Sequence, residues 1–167
     1  MTRTDSVDAV LRGWRDTGPS LDVTPVAIVL RLGRIRSLME GRMEAVMSRH
    51  GLTLGDFSGM AAIARLEGDD GVSQARLMGE LGLTSGTVSV RVDRLVGAGR
   101  AIRAADPADR RGARVRLTPE GRRVFEAAAP EHLANERDML RGLSSTQQQR
   151  LADLLRPLLA SLEASGA

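Results

Sequence analysis

The sequence predicts a mainly α-helical protein with one small β-hairpin, and three observations support this fold class. Apolar residues recur at three- and four-residue spacing along most of the chain, which is the period of amphipathic helices. Helix-start patterns, in which Ser or Thr precedes Pro or stands three residues before Asp or Gln, occur repeatedly. Alternation of polar and apolar residues, typical of a strand, is clear at Arg114–Leu117.

Length and composition indicate one globular domain. The chain has 167 residues, of which 42% are hydrophobic and 27% are charged, and these are ordinary values for a soluble protein. No apolar run approaches the roughly 18 residues of a membrane helix, and the first residues lack the apolar core of a secretory signal. We therefore expect a cytoplasmic protein with no membrane partner.

The residue types also limit the chemistry. The chain has no cysteine, which excludes disulfides, thiolate metal sites and a cysteine nucleophile. It has neither an H-E-x-x-H motif nor a phosphate-binding loop. Asp69 and Asp70 either belong to a turn or bind a metal, and the lack of further oxygen ligands at calcium-loop spacing favours the turn. We expect no enzymatic activity, no cofactor and no metal site.

Positive charge is concentrated in one stretch. All 24 basic residues are arginine, and the segment Arg76–Arg116 holds nine of them with only four acidic residues, a local charge of +5 in a chain of net charge +3. A bias toward arginine alone says little about function. Its concentration in this stretch, however, indicates a nucleic-acid partner.

The N-terminal part predicts two helices. A short helix over Val7–Trp14 has an apolar stripe that must dock on another surface, and Trp14 in this stripe either packs or contacts a ligand. Thr24 and Pro25 then provide a cap and a first-turn proline for a helix that runs to about His50 and stops at Gly51. His50 either ends this helix or senses pH or a ligand.

The middle of the chain predicts a helix-turn-helix. Thr53-x-x-Asp56 begins one helix, and a second one, Val72–Leu81, is capped by Ser73 and ended by Gly82. Thr84 caps the next helix, whose predicted buried stripe is Val88, Val92, Leu95 and Val96. Two short helices joined by a tight glycine turn are typical of DNA-binding proteins.

The residues that lie off the buried stripe of this last helix are candidates for DNA contact. They are small near the start of the helix and basic further along, as close approach to a groove requires. Arg91 is the best candidate for a guanine edge, whereas Arg94 either braces the fold or contacts the DNA backbone. The candidates are Thr84, Ser85, Gly86, Thr87, Ser89, Val90, Arg91 and Arg94.

A hairpin and two further helices complete the chain. Ala101–Arg103 and Ala113–Leu117 form strands joined by a long basic turn at residues 106–112, which is the shape of a wing. Thr118-Pro119 starts a helix with Val124, Phe125 and Leu133 facing inward and a possible bend at Pro130, and Ser144 with Gln147 starts the last helix. Pro157 should kink or break that helix.

The helices at both ends of the chain either form a dimer or cap the core of a single chain. We divide the intertwined domain into residues 1–50, with an N-terminal dimerisation helix, a winged helix-turn-helix over 51–118, and C-terminal dimerisation helices over 119–167.

Two segments resemble the MarR family of bacterial winged helix-turn-helix regulators. D-P-A-D-R-R-G-A-R-V-R-L-T-P-E-G, Asp106–Gly121, is similar to the wing signature of the family, and V-S-V-R-V-D-R-L-V-G-A-G, Val88–Gly99, to its recognition helix. The resemblance extends from about Thr24 to the C-terminus. It implies a homodimer on double-stranded DNA with a pseudo-palindromic operator, in which Asp109 orients Arg111 toward the minor groove and Arg110 lies on the backbone.

The resemblance also implies a small-molecule effector. The N-terminal extension and W-R-D-T-G-P-S-L-D look like the subgroup that senses urate or related anions, but Ser58 stands where that subgroup has an acid. Candidate ligand residues are Trp14, Arg31, Phe57 and Arg91. The predicted function is a repressor released from DNA by an aromatic or anionic ligand, and the alternative is a protein-interaction module that does not read DNA sequence.

Overall fold

The structure is a computed structural model that describes residues 4–18, 20, 22–106 and 112–165. It confirms a mainly helical fold with a small antiparallel sheet. The chain divides into two compact units, Met1–Glu44 and Ala45–Ala167. The division predicted at residues 50 and 118 stays a prediction. Within the described residues, no helix is long and apolar enough to cross a bilayer.

The first unit contains α1 (Ser6–Thr17) and most of α2 (Thr24–Arg49). Asp5 caps α1 by accepting a 2.8 Å hydrogen bond from the N–H of Val7, and its own N–H donates to Asp8 at 2.7 Å. Val7, Leu11 and Val23 form a small apolar cluster. Both predicted helices are therefore confirmed.

Two details of the first unit differ from the expectation. The carboxylate of Asp22 accepts a 2.9 Å hydrogen bond from the N–H of Thr24, so Thr24 is the first residue of α2 and the cap comes from an aspartate two positions earlier. Trp14 is 47% exposed and lies outside the apolar cluster. The apolar stripe of α1 is therefore buried at Val7 and Leu11 but not at Trp14.

The second unit carries the predicted helix-turn-helix and hairpin. Its helices after α2 are α3 (Leu54–Leu66), α4 (Gln74–Leu81), α5 (Ser85–Gly97), α6 (Pro119–Met139) and α7 (Ser145–Ser165). Its strands are β1 (Val72–Ser73), β2 (Ala101–Ala105) and β3 (Ala113–Leu117). The strands form an antiparallel sheet in the order β1-β3-β2.

The predicted helix caps of this unit are confirmed. The hydroxyl of Thr53 accepts from the N–H of Asp56 at 3.0 Å, while the carboxylate of Asp56 accepts from the N–H of Thr53 at 3.1 Å. Ser144 and Gln147 make the same reciprocal pair at the start of α7. Single caps stand before the other three helices, at Ser73, Thr84 and Thr118.

Several sequence predictions are wrong in this unit. Val72 does not begin α4, because its backbone pairs with Val115 as the strand β1. Val96 is 38% exposed and Leu133 54% exposed, because the buried stripe of α5 ends at Leu95 and α6 extends past the core. The break considered at Pro157 does not occur, since α7 continues through it, although an interior proline removes one helix hydrogen bond.

A close backbone contact fixes the start of α6 against the end of the helix-turn-helix. A Cβ on Gly121 would lie 1.8 Å from the carbonyl oxygen of Arg100, so no larger residue fits there. That same oxygen accepts from the N–H of Thr118 at 3.1 Å, and the hydroxyl of Thr118 donates to Gly99 at 2.7 Å. The T-P-E-G motif is therefore a packing element as well as a helix start.

The α1–α2 pair gives a prediction about pH. The Arg31 guanidinium, 2.8 Å from Asp5, and the N–H of Val7 hold the pKa of Asp5 below its ordinary value. A carboxylate with a depressed pKa stabilises the folded state above its unfolded pKa of about 4 and loses this effect as the pH falls through the folded pKa. We expect Asp5→Asn, which keeps a good capping residue, to lower the amide-exchange protection of Leu11 at pH 7.

The difference between this variant and the wild type should begin to shrink as the pH falls below about 4, and it should vanish once the pH has fallen through the lower folded-state pKa, because Asp5 of the wild type is then itself neutral. Asp22→Asn is the matched control, since Asp22 caps α2 through Thr24 and should not affect α1. An unchanged difference at pH 3 would contradict the assignment.

Candidate nucleic-acid interface

The helix α5 has one buried face and one open face. Val88, Val92 and Leu95 are at most 3% exposed and pack in the core. The first turn is exposed on the other side, and Val90 is 59% exposed. The residues that the sequence assigns to DNA contact therefore lie mainly on the surface of the helix.

The start of α5 presents hydroxyl groups and a helix N-terminus. The Thr84 and Thr87 hydroxyls lie 2.9 Å apart, and the hydroxyl of Thr84 accepts from the N–H of Thr87 at 3.4 Å. Ser85 and Gly86 are exposed beside them. An exposed helix N-terminus has a partial positive charge that suits a phosphate group.

Arg91 folds back onto α3. A Cβ built on Gly55 would lie 3.4 Å from Nε and Cζ of Arg91, so the guanidinium rests over the backbone of Gly55, where the missing side chain leaves space. Arg91 is partly buried. In this structure the guanidinium of Arg91 therefore lies against α3, and its assignment to a guanine edge stays a prediction.

Arg94 also contacts the first turn of α3. Its Nη1 lies 3.5 Å from Oδ1 of Asp56 and 3.5 Å from Oγ1 of Thr53. Asp56 is only 4% exposed, and a buried carboxylate requires a charged or hydrogen-bonding neighbour. The structure thus supports the bracing interpretation of Arg94, although its side chain is 54% exposed.

A third charged residue of α5 ties the helix to the sheet. Oδ1 of Asp93 lies 2.9 Å from Nη1 of Arg103 in β2. The helix is therefore held by charged contacts from α3 on one side and from the hairpin on the other. The two residues lie on different elements, so no local pattern in the sequence indicates this pair.

The base of the wing contains an ion pair that the sequence analysis missed. The N–H of Asp106 donates to the carbonyl of Gly112 at 3.2 Å, and Nε of Arg114 lies 3.1 Å from the carboxylate of Asp106. Arg114 also donates to the carbonyl of Gly71 at 3.3 Å. Asp106 is 8% exposed, and this burial, which the sequence pattern does not show, distinguishes it from other turn acids.

Gly71 is required where the wing base meets the turn before β1. Its φ is +84°, and a Cβ there would lie 2.7 Å from the carbonyl oxygen of Val115. Both features favour glycine.

The wing residues Asp109, Arg110 and Arg111 lie outside the described residues, so their assignment stays a prediction.

The four candidate ligand residues are mostly engaged in contacts within their own units. Arg31 is held by Asp5 at 2.8 Å and by Asp8 at 2.6 Å. Phe57 is buried and stacks on Phe125, with ring centroids 5.6 Å apart. His132 also contacts Phe57, with a centroid distance of 4.6 Å. Trp14 is half-exposed, and Arg91 lies over Gly55.

His50 lies at the end of α2, as one of its two interpretations required. Its Nε2 is 3.3 Å from Glu131, which also pairs with Arg49 at 3.0 Å. Its role in sensing pH or a ligand stays a hypothesis.

A cleft of about 410 Å³ lies between α3 and α6 of the second unit. Phe57 and Phe125 provide an apolar wall, and Arg65, His132 and Glu136 provide polar groups. Pockets of this kind suit small aromatic molecules with one polar end. The other lining residues are Ser58, Ala61, Leu81, Ala129 and Leu133.

The three-stranded sheet, the helix-turn-helix and the exposed α5 define the second unit as a winged helix-turn-helix domain. A sequence model of the MarR family matches residues 50–112. The HTH-type transcriptional regulator PecS of Dickeya dadantii is 30% identical over 155 residues, which cover 93% of each chain. The chain belongs to the MarR family of transcriptional regulators.

Solved structures share the fold. CouR from Rhodococcus jostii RHA1, bound to p-coumaroyl-CoA, has a TM-score of 0.68 and 25% identity, with 78% of this chain and 90% of that chain covered. A mutant MarR from E. coli, complexed with operator DNA, has a TM-score of 0.72 and 20% identity, with coverage of 82% and 95%. These likenesses extend to most of each chain.

The Asp106–Arg114 pair gives a prediction about the wing. Asp106→Asn keeps the size of the side chain but removes its charge, so we expect a loss of about 1.5 to 3 kcal/mol in the free energy of unfolding, the range for a hydrogen bond to a charged group. Urea unfolding measures this change, and amide exchange of residue 106 directly reports its hydrogen bond to Gly112 at the base of the wing. Arg116→Gln, at an exposed position of β3, is the control and should change stability by less than about 0.5 kcal/mol. Equal effects of both changes would refute the claim that the Asp106–Arg114 ion pair stabilises the base of the wing.

Proposed function

We propose that this chain is a homodimeric repressor that binds a pseudo-palindromic operator and is released from it by a small aromatic or anionic ligand. The observation that carries the proposal is the exposed N-terminal half of α5, on a helix that is tied to α3 and to the hairpin. A helix presented in this way suits the major groove. The regulator acts where the chromosome lies, in the cytoplasm.

Charge supports the DNA part of the proposal. The segment Arg76–Arg116 holds nine arginines and four acidic residues, and it includes α5 and the wing. We assign Arg111 to the minor groove, with Asp109 orienting it and Arg110 on the backbone, because a flat, weakly hydrated guanidinium fits a narrow and strongly negative groove. Binding of operator DNA by the E. coli MarR mutant supports the same partner for this chain.

Exposed apolar surface supports the dimer. The helix α7 has no buried residue, and its leucines line a groove of about 510 Å³. The helix α2 has its own exposed apolar residues, among them Ile28, Val29 and Leu38. Soluble chains rarely leave such surfaces uncovered, and a two-fold dimer would present one α5 to each half of an operator. The exposed leucines of α7 are Leu151, Leu154, Leu155, Leu158, Leu159 and Leu162.

The cleft between α3 and α6 is the place that we propose for the effector. The stacked Phe57 and Phe125 suit an aromatic ring, and Arg65 or His132 suits a carboxylate or phenolate. CouR, which was solved with p-coumaroyl-CoA, carries an aromatic ligand on the same fold. Trp14 and Arg31, which belong to the first unit, stay ligand candidates from the sequence alone.

We expect Arg111→Ala to weaken operator binding at least tenfold. The slope of log affinity against log salt concentration should fall in magnitude by about one, because the variant lacks one positive charge near the DNA phosphates. A gel-shift titration at several salt concentrations measures both, on protein whose dimeric mass is first established by sedimentation equilibrium. Arg141→Ala, an exposed arginine of the α6–α7 turn, makes the same charge change and should leave binding unaltered.

Unchanged operator binding by Arg111→Ala would refute the wing assignment. Binding that is insensitive to both salt and DNA sequence in the wild type would instead favour a protein-interaction module.

We expect Ala61→Leu to fill the effector cleft. Thermal-shift measurements with aromatic acids such as salicylate, and with urate, should show a ligand-induced increase in Tm for the wild type and a smaller one for the variant. DNA release by the same compound should be reduced in parallel, because the added side chain occupies the space of the ligand. Ala127→Leu, at an exposed position of α6, is the control. A compound that releases DNA equally from all three proteins must bind elsewhere.

A further inference from the structure

We infer that α5 reads thymine methyl groups through Val90, and not a guanine through Arg91. This inference rests on the proposed function, in which α5 enters the major groove. It names the chemistry of the half-site that the helix recognises.

Val90 occupies the middle of the open face of α5. The buried residues Val88, Val92 and Leu95 lie on the opposite side of the helix, and Val90 is 59% exposed. Gly86, one turn earlier on the same face, has no side chain, and a Cβ there would meet nothing within 4 Å. No side chain at position 86 therefore covers the isopropyl group of Val90.

Folding does not explain a valine at this position. An exposed β-branched residue forms helix less readily than alanine or a long polar residue, and Val90 is not part of the core cluster or its partly buried surroundings. Its rigid side chain, however, has little conformational freedom to lose when it contacts a partner.

The charged residues of α5 are directed to other elements. The guanidinium of Arg91 lies over Gly55, Arg94 lies 3.5 Å from Asp56, and Asp93 pairs with Arg103 at 2.9 Å. The surface left on the first two turns consists of hydroxyl groups, Gly86 and the methyl groups of Val90. This surface is apolar at its centre with hydroxyl groups around it, and Arg94, whose side chain is 54% exposed, follows one turn later.

Thymine is the one DNA base that offers a complementary group in the major groove. Its C5 methyl group is apolar, whereas guanine presents two acceptors that require a donor such as arginine. The hydroxyls of Thr84, Ser85 and Thr87 can donate or accept a hydrogen bond, so they are compatible with donor or acceptor groups on the adjacent bases. The inferred half-site therefore carries a thymine opposite Val90.

The test replaces single methyl groups on DNA. Duplexes that bind the wild-type protein are first selected from a random pool, and each thymine of the selected site is then replaced by deoxyuridine, which lacks only the methyl group. We expect one thymine of each half-site at which this replacement weakens wild-type binding about fourfold, the effect of one methyl group returned to water. Val90→Ala should abolish the difference between thymine and uracil at that position.

Val96→Ala is the matched control, because Val96 is an exposed valine at the other end of the same helix; it should leave the uracil effect intact. Circular dichroism checks that both variants fold. The inference is overturned if no thymine shows coupling to Val90→Ala. It is also overturned if 7-deazaguanine weakens binding and Arg91→Met removes that effect while Val90→Ala does not alter base preference. Failure of the wild type to enrich any duplex would instead refute the proposed DNA-binding function.

Discussion

The placement of α5 depends on the first turn of α3. The carboxylate of Asp56, nearly inaccessible to water, caps this turn through the N–H of Thr53 and faces the guanidinium of Arg94. One position earlier, Gly55 leaves room for Arg91. A single helical turn thus supports two side chains of the neighbouring helix. Because loss of one member would leave a buried charge without its partner, the capping of α3 and the orientation of α5 are coupled.

The hairpin is held by a second carboxylate that acts in a similar way. Glu67, at the end of α3, accepts a hydrogen bond from the N–H of Leu117 at 3.1 Å and pairs with Arg122 of α6. The last residue of β3 and the first turn of α6 therefore contact the same partly buried carboxylate. Helix and hairpin belong to one packed unit, so neither has to be ordered separately when a large partner binds, which lowers the entropic penalty of association.

Local signals explain which parts of the structure could be predicted from the sequence. The caps at Thr53, Ser73, Thr84 and Thr118 each involve residues within three positions, and the alternation in β3 is visible in five residues. The strand β1 was missed because two residues carry no period and its partner lies far along the chain.

The directions of the side chains at the candidate site could not be predicted from the sequence. The orientation of Arg91 depends on the absence of a side chain at Gly55, and the burial of Asp106 depends on Arg114 and the turn at Gly71. Neither relation leaves a pattern in the sequence. The same is true of Trp14, whose helix was predicted but whose exposure was not. Helix periodicity indicates which face of an element is buried, but it does not indicate where a long arginine side chain comes to rest.

The shortness of β1 determines how the sheet can meet other chains. With the order β1-β3-β2, the sheet has two edges, and the β1 edge ends after two residues where α4 begins. An edge of that length offers almost no backbone to an incoming strand, which protects against fibril-like stacking. The β2 edge is five residues long, and its middle residue, Arg103, carries a charged side chain. Unwanted strand addition would therefore start at β2, and in the DNA complex that we propose, the operator would shield that edge from other chains.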